Sequence, residues 1–353
     1  MESLKGSIGN SDELYKTLNA QIILLQAEID EKNGEIERLN AEIEAVSKSY
    51  GADINAQYET VSAIYELLNN PPKILVSEAV YDDNGRLLKD AVYKEPTISL
   101  YYEDVTRGYI FKYNASNTFA TADCIRLPFA FSVLKEASEE MKQYEKFVAE
   151  HIASGGSADH VPEYDFTYDM NKIFTYTEDK YLPGAGAVKD SEFGTEFAHY
   201  ELFESYIKYG DPIAEAELVR CYGTNLRKTL ISNLGLSVMN NDPNETTASE
   251  LAVIMKELQK FIYSGEAYSD LMGGSMSASA HSIMLSPGII GKDVLHCSGW
   301  AENAYHDAAI VCDENPYVLI FMSDLSEGGE EINSYVNKLA SLTDELHGSF
   351  YGS

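Results

Sequence analysis

Two charged residues, Asp123 and Arg126, stand near the start of the segment TADCIRLPFAFSVLK, Thr121–Lys135. On one helix, a spacing of three residues places the carboxylate beside the guanidinium, so we predict an ion pair between them. A guanidinium stays protonated in proteins and cannot act as a base. A carboxylate that attacked an amide would form a reactive anhydride. The segment therefore has the charges of a site but lacks an effective nucleophile and base.

Two other groups have residue types that suit nucleophilic catalysis. Ser132 and Lys135 form a literal Ser-x-x-Lys, but Ser132 is nine residues beyond Asp123. At about 100° per residue it lies on the opposite side of the helix. Cys297 offers a thiol whose thiolate is a good nucleophile. The adjacent His296 points to the other face of a strand, so it supplies no base, and a structural or redox role is favoured for Cys297.

Composition excludes several classes of function. The chain has 353 residues, 26 Lys and Arg against 57 Asp and Glu, and a formal charge of −31, so we expect no nucleic-acid partner and no contact with an anionic membrane. The chain as given has no long apolar run and no signal peptide. The four cysteines lack C-x-x-C spacing, so we predict no metal site, and no other cofactor is indicated.

The elements that carry these residues begin with a helical stalk, assigned to residues 1–70. Apolar residues recur at heptad spacing from Leu18 to Tyr50, and Lys32 interrupts the first of the two rows. The first row contains Leu18, Leu25, Leu39 and Val46, and the second contains Ile22, Ile29, Ile36, Ile43 and Tyr50. This pattern predicts a coiled coil, and Leu on the first row with Ile on the second favours an assembly larger than a dimer. An alternative is an intramolecular hairpin, in which Gln57–Leu68 folds back on the first helix.

Pro71 and Pro72 end the helical region, and a second domain is assigned to residues 73–353. It opens with a β-hairpin whose turn is Asn84-Gly85. Further strands are predicted at Thr97–Glu103, Gly108–Tyr113, Val294–Ser298, Ala308–Cys312 and Tyr317–Met322. Helices are predicted at Leu127–Ile152, Glu196–Tyr209, Ile213–Tyr222, Ala248–Tyr263 and about Glu330–Leu346. Strands at both ends with helices between them indicate an α/β (α+β) fold, an antiparallel sheet built from both domain termini.

Several segments, in order, resemble the class A β-lactamase and penicillin-binding serine hydrolase family. The resemblance spans roughly Ile98–Phe350. Its motifs are Thr121–Lys135, FTYTEDKYLPGAGAV at Phe174–Val188, YGDPIAEAELV at Tyr209–Val219 and HCSGW at His296–Trp300. It implies a β-lactamase/transpeptidase-like fold with a helical subdomain at about 124–290, and a location outside the cell or on its surface.

The same resemblance implies that the family's catalytic residues have been replaced. Asp123 stands for the serine and Arg126 for the lysine of Ser-x-x-Lys. Gly210-Asp211-Pro212 stands for Ser-Asp-Asn, so only Asp211 remains, and its role in the family is structural. Cys297-Ser298-Gly299 stands for Lys-Thr-Gly, which removes a cation but keeps a hydroxyl and an open backbone. Cys297 is expected to line the groove, and no catalytic residue is assigned.

Three functions remain open from the sequence. The first is a binding or assembly module without serine hydrolase activity, whose groove takes a peptide, a cell-wall fragment or a protein and whose coiled coil self-associates. The second is a divergent β-lactamase or peptidase that uses altered catalytic residues. In the third, the coiled coil carries the function and the globular domain is a passive cap.

Overall fold

A computed structural model describes residues 2–50, 54–82, 85–325 and 329–351. Its helices are α1 (Glu2–Tyr50), α2 (Ile54–Asn69), α3 (Arg126–Ala153), α4 (His199–Tyr209), α5 (Pro212–Tyr222), α6 (Asn225–Asn233), α7 (Ser237–Asn241), α8 (Ala248–Ile262), α9 (Ser269–Ser277) and α10 (Gly329–Ser349). Its strands are β1 (Ile74–Ser77), β2 (Val80–Tyr81), β3 (Leu87–Lys89), β4 (Val92–Lys94), β5 (Ile98–Asp104), β6 (Ile110–Tyr113), β7 (Phe119–Ala120), β8 (Ile173–Thr175), β9 (Glu196–Ala198), β10 (Glu245–Thr246), β11 (Asp293–Ala301), β12 (Ala304–Cys312) and β13 (Tyr317–Ser323).

The chain divides into two compact units. One comprises Met1–Ser62 and Glu345–Ser353, and the other comprises Ala63–Asp344. The boundary falls inside α2, whereas the sequence places it after residue 70. The helix nevertheless ends at Asn69, just before the two prolines, as expected from their missing amide protons. None of the described helices is both long and apolar enough to cross a bilayer.

The first unit is dominated by the long helix α1. Every described side chain of α1, from Lys16 to Ile43, is exposed, including the heptad residues in that range. The side chains of Val46 and Tyr50 lie outside the described residues. A hairpin folded back along residues 16–43 would bury one of these rows, so the alternative of an intramolecular hairpin is not observed among the described side chains. The described apolar residues of both rows are therefore exposed to solvent.

The second unit is built on a five-stranded antiparallel sheet with the order β11-β12-β13-β5-β6. Strands from both ends of the unit pair in this sheet, for example Cys297 with Ala308 and Phe321 with Leu100. The helices α3 to α9 lie between β7 and β11 in the sequence. This arrangement confirms the predicted sheet from both domain termini with an inserted helical region.

Both faces of the sheet are covered, which explains why β5 and β13 are buried along their whole length. On one face, residues such as Ile320 and Met322 join a core with α3 and α8. On the other face, the Tyr305 hydroxyl donates to Asn333 Oδ1 at 2.6 Å, and α10 carries this asparagine. The edge strand β11 is held between these layers and carries Cys297, Ser298 and Gly299.

Of two local predictions, the hairpin is found in the structure and the start of one helix is not where it was predicted. The hairpin exists, because β2 pairs antiparallel with β3 and β1 with β4, and Gly85 has a φ of +76°. Asn84, the other predicted turn residue, lies outside the described residues. The helix predicted from Glu196 begins at His199 instead, because Glu196–Ala198 pairs with Ile173–Thr175 as a strand.

Candidate functional site

The first motif lies in a 3-10 turn, Ala122–Ile125, that leads into α3. Ala122 has a φ of +48°, a strained conformation for a residue with a side chain, which costs on the order of 1–3 kcal/mol. Thr121 anchors this turn, because its N–H donates to the Asn244 carbonyl at 2.7 Å. Asp123, which follows Ala122, is exposed to solvent.

Arg126 turns in the opposite direction and is only 2% exposed. Its Nη2 donates to the Ser298 carbonyl at 3.0 Å, and its Nη1 lies 2.7 Å from the position that a Cβ on Gly210 would occupy. One side chain therefore bridges the first, second and third motifs. It fills the space beside Gly210 that a serine there would need.

The predicted ion pair between Asp123 and Arg126 is not formed among the residues that the structure describes. Asp123 faces solvent while Arg126 points inward to β11, so their side chains diverge although their sequence spacing is right. Burial alone would lower the pKa of Arg126. The charges of Cys297, Asp123 and Cys124 outweigh burial and raise this pKa, so the guanidinium stays protonated.

Cys297 does not line an open groove, contrary to the expectation from sequence, because it is only 1% exposed. It packs against the first motif, with the Cys124 Sγ 3.6 Å from the Cys297 carbonyl oxygen. A hydrogen bond from the Cys124 thiol and the charge of Arg126 lower the pKa of Cys297 to about 7, although burial opposes them. The same pairing raises the pKa of Cys124. The thiolate is thus stabilised but enclosed.

His296 lies on the face of β11 away from Cys297, as predicted. Its Nδ1 is 3.1 Å from Asp307 Oδ1, and its Nε2 is 2.7 Å from the Ser282 hydroxyl. Asp307 also accepts a hydrogen bond from the Leu285 amide at 3.1 Å. His296 is therefore committed to this network and supplies no base to Cys297.

The second motif connects α4 to α5 and is structural. Gly210 ends α4 with a φ of +66°, and Asp211 begins α5 by accepting hydrogen bonds from the backbone N–H groups of Ile213 and Ala214. Pro212 occupies the first turn of α5, where its missing N–H costs nothing. Gly184 packs against Pro212, and a Cβ there would lie 2.7 Å from the Pro212 Cγ.

Ser298 and Gly299, the two residues of the third motif that keep a hydroxyl and an open backbone, also make structural contacts. The Ser298 hydroxyl donates to the His281 carbonyl at 3.1 Å, and Ser298 is buried. A Cβ on Gly299 would lie 3.0 Å from the amide nitrogens of Asp123 and Cys124, so the glycine lets β11 approach the 3-10 turn. The hydroxyl and the close backbone contact both serve packing here.

The structure therefore brings Arg126, Gly210, Cys297, Ser298 and Gly299 together. The Asp211 and Pro212 side chains turn toward α5 and the 184–188 segment instead of joining them. Sequence reasoning missed Cys124, the thiol partner of Cys297, although its position next to Asp123 was a usable signal. The literal Ser-x-x-Lys is structural, as expected, because the buried Ser132 hydroxyl donates to the Phe129 carbonyl at 2.8 Å.

An antiparallel sheet formed from both ends of a domain, with a helical insertion and three motifs meeting at its edge strand, defines the serine β-lactamase class of fold. The chain belongs to the beta-lactamase enzyme family, because the family model matches residues 85–159 and 165–346, more than half of the sequence. The curated proteins include no sequence that matches this chain.

Solved structures show the same fold at low identity. PBP-A is 16% identical, with a TM-score of 0.57, over 84% of this chain and 96% of PBP-A. A β-lactamase from Chitinophaga pinensis is 14% identical, with a TM-score of 0.58, over 82% of this chain and 99% of that one. A β-lactamase from Sphaerobacter thermophilus is 13% identical, with a TM-score of 0.53, over 72% of this chain and 92% of that one.

Proposed function

We propose that this protein is a β-lactamase-like binding or assembly module that lacks serine hydrolase activity and acts at the cell surface. The observation that carries the proposal is the buried Arg126 guanidinium, which bridges to the Ser298 carbonyl and fills the space beside Gly210. It stands where the resemblance expects a lysine base. Because the guanidinium stays protonated, it cannot accept a proton. Because it fills the space beside Gly210, it leaves no room there for a hydroxyl that could shuttle a proton.

Acyl transfer needs a nucleophile, a base within hydrogen-bond reach and space for the substrate. The exposed Asp123 is the accessible side chain at the nucleophile position, and its carboxylate is a poor attacking group for an amide. Cys297 has the better chemistry, but its thiol is buried and has no base. The better nucleophile, Cys297, is therefore buried, and the exposed residue, Asp123, is a poor nucleophile.

Binding is supported by the part of the site that stays open. β11 is the outermost strand of the sheet, and its last residues, Trp300 and Ala301, are exposed. Trp300 is 37% exposed and meets the His281 ring edge to face, with centroids 4.2 Å apart. Cys124 and Arg126 already occupy the edge of β11 at Cys297 and Ser298, so a peptide would pair only with the exposed end at Trp300 and Ala301 and pack a side chain on the indole. At the proposed location on the cell surface, such a peptide would belong to the cell wall or to another protein.

Self-association is supported by the exposed heptad rows of α1. The step from Leu18 to Ile22 is four residues and the step from Ile22 to Leu25 is three, so Leu occupies heptad position d and Ile position a. This assignment reverses the expectation of an assembly larger than a dimer, because Ile at a with Leu at d favours two parallel strands. We therefore include a parallel dimer in the proposal.

Activity is tested with a chromogenic β-lactam and a fluorescent penicillin. The positive control is PBP-A, of which one mutant is known as an acyl-enzyme complex with penicillin G. We expect neither turnover nor covalent labelling of the native chain. Stoichiometric labelling that is lost in Cys297→Ala or Asp123→Asn would overturn the proposal in favour of a hydrolase with altered catalytic residues.

Dimer formation is tested by sedimentation equilibrium on the full chain. Leu25→Asp places a charge on a heptad row and should dissociate the dimer, whereas Leu24→Asp changes an equally exposed leucine outside both rows. An unchanged mass for Leu25→Asp, or equal dissociation by both variants, would rule out assembly through these rows.

A further inference from the structure

Three side chains that can bind a metal meet where α4 packs against α5, on the two helices that flank the second motif. His199 is the first residue of α4, and Glu217 and Cys221 lie four residues apart on α5, so both face the same side of that helix. One ligand atom from each, the His199 nitrogen, a Glu217 oxygen and the Cys221 sulfur, all lie within 4.8 Å of one another.

The protonation of His199 follows from its neighbour Tyr222. The Tyr222 hydroxyl donates its only proton to the Asp169 carbonyl at 3.1 Å and lies 2.6 Å from His199 Nδ1. The hydroxyl must therefore accept a hydrogen bond from Nδ1–H. With this hydrogen on Nδ1, Nε2 is the ring nitrogen that carries a lone pair.

That lone pair has no hydrogen-bond partner among the described residues, although His199 is 0% exposed. The nearest candidate, Glu217 Oε1, lies 3.9 Å away, beyond hydrogen-bond distance. A carboxylate also presents lone pairs of its own, so the two atoms repel unless a cation lies between them. Buried polar atoms without a partner are rare in native proteins and often mark an ion or water position.

We propose that His199 Nε2, Glu217 Oε1 and Cys221 Sγ bind a zinc ion. Zinc accepts nitrogen, oxygen and sulfur ligands together, and a fourth position is left for water or another ligand. The Nδ1–H bond to Tyr222 is the type of second hydrogen bond that orients a metal-binding histidine. The ion would join the first turn of α4 to the last turn of α5. Binding replaces the Cys221 S–H bond with a zinc–sulfur bond and releases that proton to solvent.

Two cations occupy this cluster in the metal-free protein and define how zinc would enter. Arg220 donates to both Glu217 oxygens, from Nε to Oε2 at 2.8 Å and from Nη2 to Oε1 at 2.5 Å. The Cys221 thiol also donates to Oε1 at 3.3 Å, and Lys172 Nζ lies 3.6 Å from Cys221 Sγ. The Arg220 side chain is 66% exposed, and both it and Glu217 line an open pocket, so Arg220 can swing into solvent. Zinc therefore exchanges with Arg220 for the carboxylate, and removing that guanidinium should strengthen zinc binding.

Sequence patterns could not reveal this cluster. The absence of C-x-x-C spacing leads to a prediction of no metal site, but one cysteine with a glutamate and a histidine from a second helix has no such spacing. Only the packing of α4 on α5 brings His199 to the other two ligands.

The test uses the full chain, reduced and stripped of metal, titrated with Zn²⁺ against a chromogenic chelator and with Co²⁺ in an absorption spectrometer. We expect one equivalent of zinc and a thiolate-to-cobalt charge-transfer band. Cys221→Ser should weaken zinc binding by roughly 10- to 100-fold and abolish the band. Cys312→Ser, the matched control at another partly buried thiol, should change neither.

Arg220→Gln supplies a result of opposite sign that a folding defect would not mimic. It should tighten zinc binding by about two- to fivefold, the amount that an exposed ion pair is worth. The proposal is overturned if the native chain binds no zinc, if Cys221→Ser and Cys312→Ser bind equally, or if Arg220→Gln weakens binding. Circular dichroism of each variant confirms that it is folded.

Discussion

Replacement of Asp211 by alanine is predicted to destabilise the domain although no catalytic role is assigned to this residue. Asp211 is completely buried and accepts four hydrogen bonds. Its Oδ1 accepts from the Ile213 and Ala214 amides at 3.0 and 3.3 Å, which caps α5. Its Oδ2 accepts from the Val188 amide at 3.0 Å and the Ser205 hydroxyl at 2.8 Å. One carboxylate therefore holds together α4, α5 and the glycine-containing segment before α4.

The expected magnitude follows from these contacts. Loss of the helix cap costs about 1 kcal/mol. The Val188 N–H then remains buried without an acceptor, which costs about 1–3 kcal/mol. The Ser205 hydroxyl also loses its partner, although it can rotate. We expect Asp211→Ala to lower the free energy of unfolding by roughly 2–4 kcal/mol. Asp211→Asn should cost less, because its oxygen can still cap α5 while its amide group opposes the Val188 N–H.

The assay is guanidinium unfolding followed by circular dichroism and tryptophan fluorescence. Asp242→Ala is the matched control, because Asp242 is exposed and its carboxylate accepts from the Asn244 amide in a turn. This control should lose less than about 1 kcal/mol. The reasoning is refuted if Asp211→Ala costs no more than Asp242→Ala, or if Asp211→Asn costs more than Asp211→Ala.

Two further predictions concern close packing and pH. Gly186→Ala should destabilise the domain by about 1–3 kcal/mol more than Gly194→Ala, because a Cβ at Gly186 would lie 2.1 Å from Asp211 Oδ2 whereas nothing lies within 4 Å of one at Gly194; thermal unfolding of both variants checks this, and equal losses would contradict it. Burial lowers the pKa of His306 to about 4, and its Nδ1 accepts from the Ser323 N–H at 3.2 Å. The unfolded chain therefore binds a proton first, so stability should fall by roughly 3 kcal/mol as pH drops from about 6.5 to about 4. His306→Asn should show a smaller fall in pH-dependent unfolding titrations, and an unchanged slope would refute the assignment.

The order of the long elements could be predicted because their apolar periodicity is local. The sheet strands and helices α3, α5, α8 and α10 lie within a few residues of their predicted bounds. The strand Glu196–Ala198 was missed because three residues are too few to show a period, and it exists only through pairing with β8. Helices α6, α7 and α9 were also missed. Each is only five to nine residues long, so periodicity is weak.

At the site too, the sequence shows which residue types are present, whereas their contacts depend on the tertiary structure. The sequence by itself determined the residue types at Asp123, Arg126 and Cys297, because the chemistry of a carboxylate, guanidinium or thiol belongs to the side chain. That these three stand in place of the family's nucleophile, base and cationic anchor is what the resemblance predicts. Only the tertiary structure decided that the Arg126 guanidinium donates to the Ser298 carbonyl and does not pair with the Asp123 carboxylate. The physical reason is that hydrogen bonding and burial depend on atoms brought within a few ångströms by folding, and residues 172 positions apart become neighbours only when β11 packs against the start of α3.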